Sequence, residues 1–409
     1  MRYVIAGNGI AGISAAEAIR QLDPSGPITM VGDEKAVPYS RPMISMVLDG
    51  SIPFEKLPIR VPSIYEDLNI ETRFGNRITA IDVADHEIML LNRQSIPFDR
   101  LLIATGADAR QIQATHAHLK NIHYLRTRDH VRQIVDQLPE TRRPLVLGGG
   151  LVGFKAAYGL LKRGLKPTML ISSAYPLSMQ VDETAGKIIL DELVRNGLTV
   201  RVGISVTAFE GNEAVSGAQL SDGSILPCDL VIAGKGVMPS LGFVPREKIL
   251  TDLGILVDEH LETSLKGVYA AGDVAECVDI ARKRRWVNAI WPEAAAQGRT
   301  AGMNMAGRDV SYTGSVSRNV MRIFGLDLMT LGLANPEPDS HCRILSSHDL
   351  RNNRYRKLVF RENVLVGAVL LGHIEQGGLL LALIHNETPI SIPREKLLEP
   401  GFNFRQLMN

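Results

Sequence analysis

The residues whose spacing could do chemistry are glycines. Gly7-Asn-Gly9-Ile10-Ala11-Gly12 follows the apolar run Tyr3-Val-Ile-Ala and leads into an alanine-rich stretch. The pattern returns, altered, as Gly148-Gly-Gly150-Leu151-Val152-Gly153 after Pro144-Leu-Val-Leu. In a strand–turn–helix unit the first Gly permits a tight turn, the second lets backbone approach a pyrophosphate, and the third lets helix pack on strand. The phosphates then meet unpaired N–H groups at the positive end of the helix dipole. A single triplet also arises for structural reasons alone; two, each at a strand-to-helix junction, imply two dinucleotide sites. Asp33-Glu34 ends the next apolar run, Ile28 to Val31, at the roughly 20-residue spacing where a carboxylate holds a ribose hydroxyl. The second copy lacks that acid. Thr168-Met-Leu-Ile171 runs into Ser172-Ser-Ala, and no arginine stands there to attract a 2′-phosphate, so NADH and NADPH both stay open.

Further candidates sit where apolar runs end in small residues, the form taken when backbone passes close to a ligand. These are Ala104-Thr105-Gly106, Gly234-Lys-Gly236 and Ala271-Gly272-Asp273. The loop Pro38-Tyr-Ser-Arg41-Pro42 leaves the carboxyl end of a strand, where ligands bind in open α/β sheets, and Arg41 reads as a cation near cofactor phosphates. Arg282-Lys283-Arg284-Arg285 is the one concentrated basic run; it reads either as a solvated loop or as a docking patch for an acidic partner. His116 and His118 lack an accompanying ligand set, so no metal site is expected. The three cysteines, Cys228, Cys277 and Cys342, are too far apart for a disulfide framework or a CxxC site and read as buried small hydrophobes.

The elements that must position these residues are legible as periodicity. Helices are expected over Ile10 to Leu22, Arg128 to Leu138, Phe154 to Lys162, Asp182 to Asn196 and Pro292 to Ala306. Buried strands precede each glycine turn, a small β-meander is expected from Ile70 to Phe98, and a hairpin from Arg356 to Leu371. The fold class is therefore α/β, with two Rossmann-like domains in three layers and a C-terminal α+β domain. A chain of 409 residues that is 45% hydrophobic has material for two or three cores. Its 45 Lys+Arg balance 44 Asp+Glu at a formal charge of +1, which argues against a nucleic-acid-binding chain. No apolar run has membrane length and no leader pattern precedes the first strand, so a cytoplasmic location is expected.

Two glycine fingerprints, Ala104-Thr105-Gly106 and Ala271-Gly272-Asp273, in this order, resemble the two-dinucleotide-fold flavoprotein reductases of the pyridine nucleotide-disulfide reductase superfamily. Pro38-Tyr-Ser-Arg41-Pro42, Trp291-Pro292 with Gln297-Gly298, and the tail Leu358-Val-Phe-Arg361-Glu-Asn-Val-Leu-Val-Gly367 are similar to NADH:rubredoxin reductases and to the flavin module of NAD(P)H nitrite reductases. The resemblance implies a discontinuous FAD domain over 1–108 and 233–308, an NAD(P)H domain over 109–232, and a third domain over 309–409 that covers the flavin or forms an interface. It implies that Gly7, Gly9, Ile10, Ala11, Gly12, Asp33, Glu34, Arg41, Pro42, Ala104, Thr105, Gly106, Gly272, Asp273, Trp291 and Pro292 line the FAD site. Gly148, Gly150, Leu151, Val152, Gly153, Ser172 and Gly236 would line that of NADH or NADPH. The implied activity is hydride transfer from NAD(P)H to FAD and electron delivery to a small acidic carrier such as rubredoxin or ferredoxin, by a monomer or homodimer. An NAD(P)H oxidase and a flavin-carrying redox-sensing interaction protein are the alternatives. Two departures stand out: no cysteine precedes Cys228, which removes dithiol relay chemistry, and Lys155 replaces the Glu that relatives commonly have beside the nicotinamide. Lys155 is either solvated or a cleft cation.

Overall fold

Continuous apolar runs, the mark of strands buried on both faces, make the two central sheets. In the computed structural model, which describes residues 1–349, 351–399 and 401–407, Tyr3–Ala6 is buried at every position and lies at the centre of a five-stranded parallel sheet. The order is Val268–Ala270, Arg100–Ile103, Tyr3–Ala6, Ile28–Gly32, Ile70–Phe74. Ile70–Phe74 corrects the sequence reading: it is no arm of a meander but the edge strand, with Ile28 beside Ile70 in parallel register. Its alternation comes from an edge strand with one covered face. The meander itself is the antiparallel trio Ile78–Asp82, Glu87–Leu90 and Ser95–Pro97.

The chain folds as two compact units, Met1–Pro42, Glu55–Asp108 and Val237–Ser315 in the first, and Met43–Phe54, Ala109–Gly236 and Val316–Asn409 in the second. In the first, the helix Ile10–Leu22 packs on the helix Trp291–Met305, whose proline falls in the first turn, where a missing N–H leaves nothing unpaired. A Cβ on Gly298 would lie 2.1 Å from the Ala11 carbonyl oxygen and one on Gly302 2.5 Å from that of Ala15. Two glycines four apart share a helix face, and here they let the two backbones meet.

The second unit repeats the plan. Its parallel sheet runs Thr199–Val202, Thr168–Ile171, Pro144–Leu147, Leu230–Ala233, Ile122–Tyr124, again with the strand before the glycine loop at the centre. The helices Arg128–Gln137 and Glu183–Arg195 are capped by Thr127 and Asp182, which accept from the His130 and Ala185 N–H groups at 3.1 Å. The C-terminal part is a five-stranded antiparallel sheet in the order Arg318–Ile323, Leu326–Gly332, Val364–Leu371, Arg354–Arg361, Arg343–Asp349, with the helix Gly377–His385. Among the described residues no helix is long and apolar enough to cross a membrane, and no cluster of His, Cys, Asp or Glu can hold a metal ion.

Asp182 joins this sheet to the dinucleotide fold. It accepts from Tyr355 Oη at 2.7 Å and faces Lys357 Nζ at 3.1 Å, and the Lys357 side chain is only 2% exposed. Burial pushes the Asp182 carboxyl upward, but the Tyr355 and Ala185 hydrogen bonds and the Lys357 charge outweigh it and hold the group below the usual carboxylate range. Asp182→Ala strands a buried cation and is expected to cost about 3–5 kcal/mol in urea unfolding at neutral pH. A depressed carboxylate contributes stability above its unfolded pKa of about 3.9 and loses it as pH falls through the folded value. The deficit of Asp182→Asn should therefore shrink as the same measurement moves from about pH 5 toward pH 3; a constant deficit would contradict the assignment.

Candidate functional site

Three glycines in the first loop do three different things. Gly7 has φ +127°, and a Cβ there would lie 2.1 Å from the Ala104 carbonyl oxygen. Gly12 would place its Cβ 1.9 Å from the Gly7 oxygen, so it seats the helix on the turn. Gly9 is different: its φ of −90° and ψ of −171° suit any residue, and a Cβ would meet no protein atom within 4 Å. What excludes a side chain at Gly9 is not the protein, which is the sign of a cradle left open for a ligand. The turns around it are brought into line by backbone hydrogen bonds, Gly7 N–H to the Val31 oxygen at 2.8 Å, Ala104 N–H to Ala6 at 2.7 Å and Ala271 N–H to Ile103 at 3.0 Å. Gly106 and Gly272 take left-handed φ of 72° and 81°, and a Cβ on Gly272 would sit 3.2 Å from that of Ala11. Thr105 Oγ1 donates to the Ser240 oxygen at 3.5 Å. Ile10 opens a helix whose first turn carries no acid, so its positive end is unopposed.

Beside this loop the expected carboxylate is found, already in company. Glu34 accepts from Tyr39 Oη at 2.7 Å and pairs with Arg41 Nη2 at 2.5 Å, with side chains 21% and 33% exposed for Glu34 and Arg41. Burial lowers the Arg41 pKa, yet Tyr39, Glu34 and Asp273 together hold it above the ordinary value. Asp33 turns outward to Arg77 at 3.2 Å, and Pro42 is exposed. Asn8, not singled out from sequence, donates to the Ala36 oxygen at 2.8 Å and accepts from Tyr65 Oη at 3.0 Å, tying the carboxylate loop to the glycine loop. Its position between two fingerprint glycines was the available signal.

The returning segment is held by a buried polar chain. Gln297 accepts from the Gly272 N–H at 2.7 Å and donates to Cys277 Sγ at 3.4 Å; Asn288 donates to Ser315 Oγ at 2.7 Å and to Asp279 at 2.8 Å. Asp279, fully buried, pairs with Arg282 at 2.8 Å. Of the basic run read either as a solvated loop or as a docking patch, only Arg282 and Lys283 lie in a turn, and Arg284 and Arg285 are in a strand. Ala275–Asp279 and Arg284–Trp286 form an antiparallel hairpin, with Arg282 and Arg284 over the Trp286 ring at 4.9 and 5.0 Å. Arg285 reaches back to the Val257 oxygen, and Lys283, Arg284 and Arg285 are all exposed. Trp291 and Pro292 open the following helix, and Glu293 beside them is buried and accepts from Tyr312 Oη, whose pKa rises through burial and then through that carboxylate. Cys228 and Cys277 are buried, with burial pushing their thiols up to about 12 and about 11; Cys342 is partly exposed, which corrects its reading as buried.

The second loop copies the first. Gly148 has φ +107° and would place a Cβ 2.5 Å from the Gly234 oxygen, and Gly153 would place one 1.9 Å from the Gly148 oxygen. Gly150, at φ −91° and ψ −179°, again has open space, with Gly234 no nearer than 4.0 Å. Leu151 and Val152 begin the helix half-buried, Ser172 is exposed at the end of its strand, and Gly236 is exposed in a left-handed turn, accepting from the Arg110 N–H at 3.0 Å. Lys155 is not a solvated surface lysine. It lines a small apolar pocket with Phe154, Tyr158, Leu193, Met321 and Phe324, has no ion pair or hydrogen bond among the described residues, and burial lowers its pKa.

Residues 1–298 match the family described as pyridine nucleotide-disulphide oxidoreductase, and residues 318–388 match the rubredoxin NAD+ reductase C-terminal domain. The chain is 28% identical over 384 residues to an NADH-rubredoxin oxidoreductase of Clostridium acetobutylicum, covering 92% of each. It is 27% identical over 392 residues to a nitrite reductase [NAD(P)H] of Bacillus subtilis, covering 95% of this chain but 48% of the relative, so it spans about half the length of that protein. Among solved structures, the reductase in a covalent putidaredoxin reductase–putidaredoxin complex superposes with a TM-score of 0.90 at 26% identity, over 100% of this chain and 98% of that one. FAD and NAD(P)H, the cofactors of such reductases, suit two cradles whose middle glycines face open space.

That difference between glycines is testable. Gly9→Ala should keep the melting temperature of the flavin-free parent, since φ −90° suits alanine and no protein atom lies within 4 Å of the new methyl, while flavin retention falls about tenfold or more. Gly150→Ala should keep its flavin and raise KM for the nicotinamide cofactor. Gly7→Ala should fail to fold stably, its methyl driven onto a carbonyl. Flavin absorbance per chain and thermal melts check all three, and undiminished flavin in Gly9→Ala would remove the site.

Proposed function

Because the chain belongs to the pyridine nucleotide-disulphide oxidoreductase family, we propose that it is a FAD-dependent NAD(P)H oxidoreductase that passes electrons to a small redox protein. The observation that carries this reading is the pair of matched cradles, Gly7 to Gly12 and Gly148 to Gly153, each with its middle glycine facing open space. When bound, FAD accepts hydride from the nicotinamide and releases electrons onward. We assign FAD to a discontinuous domain over 1–108 and 233–308, NAD(P)H to 109–232, and an interface role to 309–409. The chain's own residues bind and tune: glycine-loop N–H groups and the two helix N-termini take the pyrophosphates, Glu34 takes the FAD ribose, and Arg41 and Asp273 set the local charge. Lys155 supplies a desolvated cation at the nicotinamide end. Dithiol relay chemistry is unsupported, since Cys228 and Cys277 are buried with raised pKa values and no cysteine precedes them.

The acceptor is read as a small acidic carrier, in keeping with the redox-protein partners of the similar reductases. On this chain the docking charge is read at Lys283 and Arg284, which are exposed, whereas Arg282 is half-buried against Asp279. Such charges steer encounter more than they add affinity. A cytoplasmic setting goes with this reading.

Anaerobic titration of the flavin-loaded protein with NADH and NADPH, followed by rubredoxin, ferredoxin and oxygen in turn, tests the reading; a protein that neither holds nor can be reconstituted with FAD would end it. Lys283→Asn with Arg284→Gln should slow carrier reduction several-fold at low salt and flatten its salt dependence, leaving dye reduction by NAD(P)H unchanged. Equal loss with the dye would refute docking there. With neither carboxylate nor arginine after Ile171, the two nicotinamide cofactors should be used within about tenfold of each other, and Ser172→Asp should shift preference to NADH by repelling the 2′-phosphate.

A further inference from the structure

The C-terminal sheet carries a buried charge that nothing in the proposed reaction uses. Arg356, 6% exposed, sits on the strand Arg354–Arg361 between Ser347 and Leu370 of its neighbours. Alternation along the strand sends Tyr355 and Lys357 to the face that meets Asp182 and Arg356 to the opposite face, with Leu370. That is the face on which the helix Gly377–His385 begins: a Cβ on Gly377 would lie 3.6 Å from Leu370 Cδ1 and closer still to Met329. Arg356 is thus directed toward the start of this helix.

Two of its nitrogens, Nε and Nη2, are buried without a partner. They are the two that form one edge of the guanidinium, the fork that pairs with two oxygens of a single anion. Burial brings the group down to about 10, which leaves it charged at neutral pH. A buried charge without a counter-charge is costly. The helix opposite has no acidic residue in its first turn and no side-chain cap, and at Gly378, exposed, a Cβ would meet nothing within 4 Å. Gly377 N–H is bonded to the Ile374 oxygen at 2.8 Å and Leu379 and Leu380 N–H to that of Gln376 at 3.1 Å, so this N-terminus offers the Gly378 N–H and a positive dipole end. The residue before it, Gln376, donates from Nε2 to the Phe402 oxygen at 3.1 Å while its Oε1 is buried without a donor.

We propose that Arg356, Gln376 and the N-terminus of the helix Gly377–His385 form a binding site for a small oxyanion that also carries a hydroxyl, of the phosphate class. Two oxygens of the anion take the Nε/Nη2 edge, the helix N-terminus faces its charge, and its hydroxyl donates to Gln376 Oε1. The site is independent of both glycine loops.

The test uses the full chain, loaded with FAD and saturated with NAD+ so that both dinucleotide cradles are filled, at constant ionic strength with chloride as the balancing anion. Inorganic phosphate should bind one per chain by calorimetry and raise the melting temperature. Sulfate, which has no proton to offer Gln376 at neutral pH, should bind about tenfold more weakly. Arg356→Met should abolish the phosphate effect, and Arg356→Lys, lacking the fork, should weaken it about tenfold. Gly378→Asp provides a variant that keeps Arg356: its carboxylate in the first turn should raise stability without phosphate and remove the response to it. Phosphate binding that persists in Arg356→Met or Gly378→Asp, or no binding by the parent chain at tens of millimolar, overturns the proposal.

Discussion

Both dinucleotide folds depend on one close approach, that of a glycine loop to the end of the neighbouring strand. At Gly7 the space left for a side chain is occupied by the Ala104 carbonyl, and at Gly148 by that of Gly234. No L-residue other than glycine combines that clearance with a left-handed φ. Because the loops are pressed so tightly onto their sheets, the helices that follow start at a fixed place, and so do the N–H groups of their first turns. Preorganised donors of this kind bind an anion without first having to be ordered.

In the first unit the same economy of side chain extends to the helices. Gly298 and Gly302 let the helix Trp291–Met305 ride on the carbonyls of Ala11 and Ala15, so a segment almost 300 residues into the chain packs against the helix that follows the first glycine loop. Close packing fixes its distance, and the Gln297 hydrogen bonds to Gly272 and Cys277 fix its rotation. Each buried polar group in this region has its partner, as the low dielectric of an interior requires. Arg356 is the contrast: an arginine just as buried, with one edge unanswered.

The glycine loops, the strand ends and the helix over Ile10–Leu22 were legible because they are local: each is specified by residues adjacent in the chain. The strand Ile70–Phe74 was misread because half-burial looks alike in a parallel edge and an antiparallel meander, and only the partner, Ile28–Gly32, separates them. Arg282 looked like its three basic neighbours because nothing local says that Asp279 would be buried beneath it. Lys155 and Arg356 were opaque for a related reason. The pocket around Lys155 is made with Leu193, Met321 and Phe324, and the lack of a partner at one edge of Arg356 is set by neighbours distant in the chain.

The cluster at Glu34 shows how a sequence expectation and a structure can differ without conflict. A carboxylate meant for a ribose is found bound to Tyr39 and Arg41, which looks like a site already spent. An ionised carboxylate, however, has about four lone-pair positions on two oxygens. Tyr39 occupies one on Oε2 and Arg41 one on Oε1, and a pair of ribose hydroxyls requires only the remaining two. The two protein donors hold the carboxylate in one rotamer, with the Arg41 charge beside it. Arg41 also donates from Nη1 to Tyr39 Oη at 3.2 Å, so the guanidinium braces both members of the cluster, and the Asp273 charge helps to hold its pKa up. The ion pair is therefore compatible with the proposed ribose contact, because it leaves acceptor positions on both oxygens.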